Sequence, residues 1–195
     1  MHCLAESRKV VVVGIPGVGK TSLLIKITEI LKHQNKSVSL NSFGSIMFEV
    51  AKENGIKDRD ELRKLPLSEQ KNLQKIAAEK LAMLKDDVVI IDTHAFINSI
   101  EGCYPGLPDH VLQILKPSNF VSVSAKPEEI YNRRMKDTTR NRDNISIDNI
   151  KKELDIQSGM ISACAVISGS PVKHVLNREG MIDEVADKII KAIGL

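Results

Sequence analysis

At 195 residues the chain is long enough to bury a full core and too short for two ordinary domains, so a single domain over residues 1–195 is expected. Its 28 Lys and Arg nearly balance its 25 Asp and Glu, and the net charge of +3 is too small to predict binding to nucleic acid or to a membrane on electrostatic grounds. Cys3, Cys103 and Cys164 form no CxxC pair and read as reduced thiols of an intracellular protein without structural zinc. No segment approaches the ~20 apolar residues of a membrane helix, and Met1 to Arg8 carry no apolar stretch, so a cytoplasmic location is expected. With no Trp and 3% aromatics, the core must be built from Ile, Leu, Val, Met and Ala.

Lys9 to Val13 is a β-branched run that enters a glycine-rich turn, the pattern of a strand buried on both faces. From Lys20, apolar residues at Leu23, Leu24, Ile27, Ile30 and Leu31 mark an amphipathic helix ending near His33 to Lys36. Val38 to Asn41 is a second strand; Ser45 begins a helical pattern through Ile46, Met47, Val50 and Ala51 that closes at Asn54-Gly55. A helix over Ser68 to Leu84 is expected, with Ser68 as its N-cap. Asp87 to Asp92 is a buried strand whose terminal acid emerges at the carboxyl edge of a sheet, where ligands bind in such folds.

Phe120 to Ala125 and Lys173 to Asn177 supply two more strands, and helices fill Pro127 to Met135, Ser146 to Ile167 and Ile182 to Ile193. The alternation implies an α/β fold, a parallel sheet with helices on both faces. Thr93 to Pro108 and the polar run Lys136 to Asn144 have no regular period and read as functional loops.

Gly14-Ile15-Pro16-Gly17-Val18-Gly19-Lys20-Thr21 matches GxxxxGK[ST] at every fixed position, between a predicted strand and a predicted helix. Glycines there let backbone N–H groups turn toward a β-phosphate, and the helix N-terminus adds partial positive charge. Lys20 is placed to bridge β- and γ-phosphates, and the Thr21 hydroxyl to ligate Mg²⁺. Asp92 is the candidate second acid, holding a magnesium-bound water or orienting Thr21; its structural alternative is a cap. No Asn-Lys-x-Asp follows a later strand, which weighs against a GTPase and favours adenine as the base.

Arg133, Arg134, Arg140 and Arg142 lie within ten residues at the end of one helix and in the polar loop after it. Phosphoryl transfer is mostly positioning and charge neutralisation, so Arg134, Arg140 and Arg142 are catalytic candidates on a lid that closes over phosphates and excludes water. The structural alternative is a solvated helix end paired with Asp137 and Asp143.

Taken together, Gly14 to Ser22, Asn41-Ser42-Phe43-Gly44 with Met47-Phe48-Glu49, Arg59-Asp60-Glu61-Leu62-Arg63, Asp92-Thr93-His94-Ala95, Tyr104-Pro105-Gly106-Leu107-Pro108 and Arg140-Asn141-Arg142-Asp143 resemble the archaeal-type adenylate kinases, P-loop nucleoside monophosphate kinases. The likeness runs from about Lys9 to the C-terminus. It implies a P-loop NTPase fold with a five-stranded parallel sheet, an AMP-binding region at about 41–84, a short lid at about 136–146, and a homotrimer. It places Ser42, Phe43, Gly44, Met47 and His94 at AMP, with Arg59 and Arg63 at its phosphate. Phe43 and Met47 are equally readable as core, and Arg59 and Arg63 as surface partners of Asp60 or Glu61. The lid lacks the paired cysteines with which some relatives hold zinc, and Thr93-His94-Ala95 stands where the wider family often carries an acceptor-site arginine.

Chemistry also bears on the acceptor. A kinase acting on a hydroxyl needs a carboxylate to orient it, whereas an AMP phosphate oxygen is already ionised. Val38-Ser39-Leu40-Asn41 ends without an acid, which disfavours a nucleoside or shikimate-type kinase. The expected reaction is Mg²⁺-dependent transfer from ATP to AMP giving two ADP. A CMP or UMP kinase and an ATPase switch acting on a protein or RNA partner are the alternatives.

Overall fold

The computed structural model describes residues 7–58, 61–62, 65–99, 102–137 and 146–195. In chain order the elements are β1 (Arg8–Val13), α1 (Lys20–His33), β2 (Val38–Ser42), α2 (Phe43–Glu53), α3 (Leu67–Ala82), β3 (Val88–Thr93), β4 (Phe96–Ser99) and β5 (Gly102–Pro105). They continue with α4 (Asp109–Leu115), β6 (Asn119–Ser124), α5 (Pro127–Lys136), α6 (Ile147–Ser168), β7 (Val172–Leu176) and α7 (Ile182–Ala192).

Five strands form a parallel sheet in the order β2-β3-β1-β6-β7. The apolar runs explain the order. Val10 to Val13, Val88 to Ile91 and Phe120, Val121 and Val123 are buried on both faces, as interior strands of a helix-covered sheet must be. At the edges, β2 and β7 keep polar or exposed positions such as Leu40 and Lys173. Helices flank the sheet in two packed groups: α1 against α7, and α2, α3, α4, α6 and α5 in a succession of neighbours.

Register decides what meets at the carboxyl edge. Val13 lies beside Thr93 and Ser122, Asp92 beside Ser42, and Leu176 beside Ser124. The turn after β1, the start of α2, the end of β3 and the residue after β7 therefore share one rim.

Four local expectations change. Residues 93–108 are not an irregular loop: Phe96↔Pro105 and Ile97↔Tyr104 pair in an antiparallel hairpin of β4 and β5. Gly102 takes φ +127° at the start of β5, and Pro105 ends the strand, where its missing N–H costs no ladder bond. A short helix, α4, had no expectation; Val111, Leu112 and Leu115 bury its one apolar face in two turns, too few for periodicity to reveal. α2 begins at Phe43 rather than Ser45, because Ser42 Oγ accepts the Ser45 N–H at 3.4 Å and the strand passes directly into the helix. Ser68 lies inside α3 and does not cap it; the cap position is Pro66, whose carbonyl accepts from Glu69 N and Gln70 N.

Two contacts generate predictions. The Gly106 N–H donates to Ala95 O at 2.9 Å, closing the hairpin base, and a Cβ at Gly106 would overlap the His94 carbonyl oxygen. Gly106→Ala is expected to cost about 2 kcal/mol, as overpacking against backbone does, measured by denaturant unfolding; unchanged stability would refute the close approach. At the opposite edge, Asp87 accepts from Ser37 N at 2.9 Å while Ser37 Oγ accepts from Asp87 N at 2.8 Å. The backbone N–H of Ser37 first, and its side chain second, hold the exposed Asp87 carboxyl below its ordinary value. A carboxyl lowered in the fold stabilises above its unfolded value of about 3.9 and loses that contribution as pH falls through the folded value. Asp87→Asn should therefore flatten the acid limb of the stability curve below about pH 4, and parallel curves for the two proteins would remove the assignment.

Candidate active site

Residues 14–19 join β1 to α1 in a tight loop with Gly17 at φ +90° and Gly19 at φ +82°. Both angles lie in the left-handed region where only glycine is unstrained, which explains these two positions of the motif. Gly19 is also the N-cap of α1, so the free N–H groups of the first turn, from Lys20, Thr21 and Ser22, open beside the loop.

The carbonyls of this loop are held from outside it. Gly14 O is 3.0 Å from His94 Nδ1, which must carry its proton to donate to a carbonyl. Pro16 O accepts from Arg134 Nε at 2.9 Å, Gly17 O from Arg133 Nη1 at 3.2 Å, and Val18 O from Asn177 Nδ2 at 2.8 Å. In a planar trans peptide a carbonyl and the next N–H point in opposite directions. Drawing out the carbonyls of Pro16 and Val18 thus turns the N–H groups of Gly17 and Gly19 the other way, toward an anion-binding concavity, while the Val18 N–H donates to Ile15 O at 3.4 Å within the loop.

Lys20, in the first turn of α1, is buried; its Nζ donates to Thr93 O at 2.5 Å and lies 2.6 Å from Asp92 Oδ1. Burial pushes the Lys20 ammonium below its ordinary value, and the Asp92 carboxylate opposes that shift. The ion pair is close but poorly directed, since the buried Oδ1 has no donor in hydrogen-bonding geometry. Thr21 is exposed next to this pair. A hydroxyl and a carboxylate oxygen short of a directed donor are hard oxygen ligands, and they fit a Mg²⁺ that takes its other ligands from phosphates and water. Among the described residues no three His, Cys, Asp or Glu side chains gather to hold a metal unaided.

The acceptor candidates divide. Ser42 and Gly44 reach the surface at the N-terminus of α2, whereas Phe43 and Met47 are buried in the core, at 3% and 7% exposure. His94 is fixed to the first carbonyl of the loop rather than to α2. Arg59, Arg63, Arg140 and Arg142 lie outside the described residues. A cavity of ≈ 360 Å³ opens at the far end of α2, lined by Asn54, Ile56, Leu65 and Glu69 among others and by no loop residue.

Arg134, expected to meet phosphate directly, is buried, with Nη2 2.6 Å from Glu153 Oε2 on α6 and Nε on Pro16 O. Arg133, half-buried and paired with Glu129 at 3.5 Å, is the more accessible of the two. Asn177 and Glu153 had no expectation. Each is one polar residue at an element's edge or face, and only register and helix packing bring it to the loop; a lone Asn ending an apolar strand at the carboxyl edge was the one sequence signal for Asn177.

A family model described as an AAA domain matches residues 13–151. An adenylate kinase of Methanocaldococcus jannaschii is 40% identical over 190 residues, spanning 96% of this chain and 99% of that protein. The adenylate kinase of Thermoplasma acidophilum is 37% identical over 95% of this chain and 98% of its own length. Among solved structures, a shikimate kinase from Bacteroides thetaiotaomicron superposes with a TM-score of 0.62 over 96% of this chain and 99% of that one; at 14% identity it shares the fold alone. With a phosphate-binding loop closed by its own side chains and full-length relatives at this identity, the chain belongs to the adenylate kinase family.

Proposed function

We propose that the chain catalyses reversible phosphoryl transfer from ATP to AMP, giving two ADP, with the triphosphate in the Gly14–Ser22 cradle and the acceptor in the region of residues 41–84. The observation that carries this reading is the loop itself. The carbonyls of Pro16, Gly17 and Val18 are tied outward by Arg134, Arg133 and Asn177, the N–H groups of Gly17 and Gly19 face the other way, and Lys20 stands at the head of α1 beside them. The adenylate kinase relatives, matched from end to end, support AMP as acceptor over CMP or UMP.

An oxygen of the AMP phosphate bonds to the γ-phosphorus as the bond from that phosphorus to the β–γ bridging oxygen breaks, in line and with no covalent enzyme intermediate. That oxygen is ionised at neutral pH, so no general base is needed, which agrees with the absence of an acid at the end of β2. The chain's task is to hold two polyanions in line and neutralise them. Loop N–H groups and the α1 N-terminus grip the β-phosphate. Lys20, tethered to Asp92 and Thr93 O, exchanges those partners for phosphate oxygens of higher charge. Thr21 and Asp92 are the residues that would hold Mg²⁺, which would help to neutralise the phosphate charge.

At the acceptor, Ser42 and Gly44 offer the α2 N-terminus to AMP, with Phe43 and Met47 forming the apolar wall behind them. Arg59 and Arg63 at the AMP phosphate, His94 beside it, and Arg140 and Arg142 on a lid over residues 136–146 belong to the same proposal. So do one kinase domain over residues 1–195, a homotrimer and a cytoplasmic location. Among the described residues no helix is long and apolar enough to cross a membrane.

Chromatography of nucleotides after mixing protein with Mg-ATP alone, and then with AMP, CMP or UMP, tests the reaction. ADP formed at the expense of both ATP and AMP is expected; ADP with free phosphate regardless of acceptor would instead establish the ATPase switch. Lys20→Met is expected to fold and to lose about 100-fold or more in turnover, since it removes a charge that the transition state needs. Near-normal turnover in that variant would discard the site.

A further inference from the structure

Arg134 is more deeply committed than an arginine that waits for phosphate. Its guanidinium uses one edge twice, Nε to Pro16 O at 2.9 Å and Nη2 to Glu153 Oε2 at 2.6 Å, with the side chain 6% exposed. Its stem lies against the loop: a Cβ on Gly17 would sit 3.2 Å from Arg134 Cγ and 3.2 Å from Ile130 Cγ2. Glu153 is itself placed by α6, because Gln157, one turn on, is buried with Nε2 donating to Ser122 Oγ and Val123 O, each at 3.1 Å. A continuous polar path therefore runs from the end of β6 through Gln157, the α6 backbone, Glu153 and Arg134 to the carbonyl of Pro16.

We propose that Arg134 is a positioning residue of the phosphate-binding loop, acting through the Pro16 carbonyl and held by Glu153, and that it does not touch the transferring phosphoryl group. The proposal rests on the reading of Gly14–Thr21 as the donor phosphate site. The Pro16 peptide decides where the Gly17 N–H points. Two acceptors at fixed places need a donor whose N–H groups are held side by side in one plane, which guanidinium supplies and ammonium does not. With Arg134 absent, Pro16 O loses its donor, the peptide is free to rotate, and Glu153 is left without its cation. Loss then falls on the affinity for the donor polyphosphate, in ground state and transition state alike, and not on AMP.

The test is calorimetric titration of the full chain with ATP and, separately, with AMP, together with steady-state turnover, for the wild type and for Arg134→Ala, Arg134→Lys, Glu153→Ala and the double alanine variant. Arg134→Ala is expected to weaken ATP by about tenfold or more, as loss of a charged hydrogen bond does, with AMP affinity unchanged. Arg134→Lys should recover part of that loss, Glu153→Ala should move ATP affinity in the same direction by less, and the double variant should be no worse than Arg134→Ala. A fall in turnover with ATP affinity intact would mean that Arg134 meets the phosphoryl group directly and would overturn the proposal. A lowered melting temperature with both affinities intact would reduce it to a fold contact and overturn it too. Should Arg134→Ala not fold, Arg134→Lys and Glu153→Ala decide between the same outcomes. A wild type that fails to bind ATP would instead defeat the reading of the loop itself.

Discussion

A loop that aims consecutive backbone N–H groups at an anion must aim its carbonyls somewhere else, and inside a protein those carbonyls require donors. This is the constraint on which the site depends. An unpaired buried carbonyl costs about as much as a lost hydrogen bond, so the cradle exists only with an outer ring that satisfies its reverse side. Here the ring consists of His94 after β3, Arg133 and Arg134 from α5, and Asn177 after β7. Three separate stretches of chain thus converge on one six-residue turn, and the parallel register of the sheet brings their ends to the same height.

The charges follow a similar logic. Lys20 is buried, and a lone buried ammonium is unfavourable, so it lies against Asp92 and the Thr93 carbonyl. The pairing is imperfect, with Oδ1 lacking a directed donor. A cation held by one carboxylate and one neutral carbonyl can exchange these partners for phosphate at little net cost, whereas a fully coordinated one would resist. Arg134 is the contrasting case, since both of its acceptors are well placed and it is nearly sealed from solvent.

The same frame serves kinases of other acceptors, as the superposition with a shikimate kinase shows at 14% identity. The hairpin of β4 and β5 is closed at its base by Gly106 under the His94 backbone. It ties the residue that holds Gly14 O to a rigid element rather than to a loose connection.

Much of this was readable along the chain. Consecutive β-branched runs announced the buried strands, one-sided spacing announced α1, and GxxxxGK[ST] located the P-loop turn between them, because all three signals are local and arise from backbone sterics or helix period. The limits of that reading are equally specific. The β4–β5 hairpin was hidden because β5 itself begins at Gly102 and ends at Pro105, residues that locally signal only turns. α4 was hidden by its brevity, and the start of α2 by a cap that depends on the last residue of a strand. Arg134 looked like a free cation because its sequence neighbours are polar; its partners Pro16 and Glu153 stand 118 and 19 residues away. The sequence by itself determined the five strands of the parallel sheet, the longer helices and the P-loop motif between β1 and α1. Only the tertiary structure decided which side chains hold that turn open, since sheet register and helix packing, not nearness along the chain, bring each donor to its carbonyl.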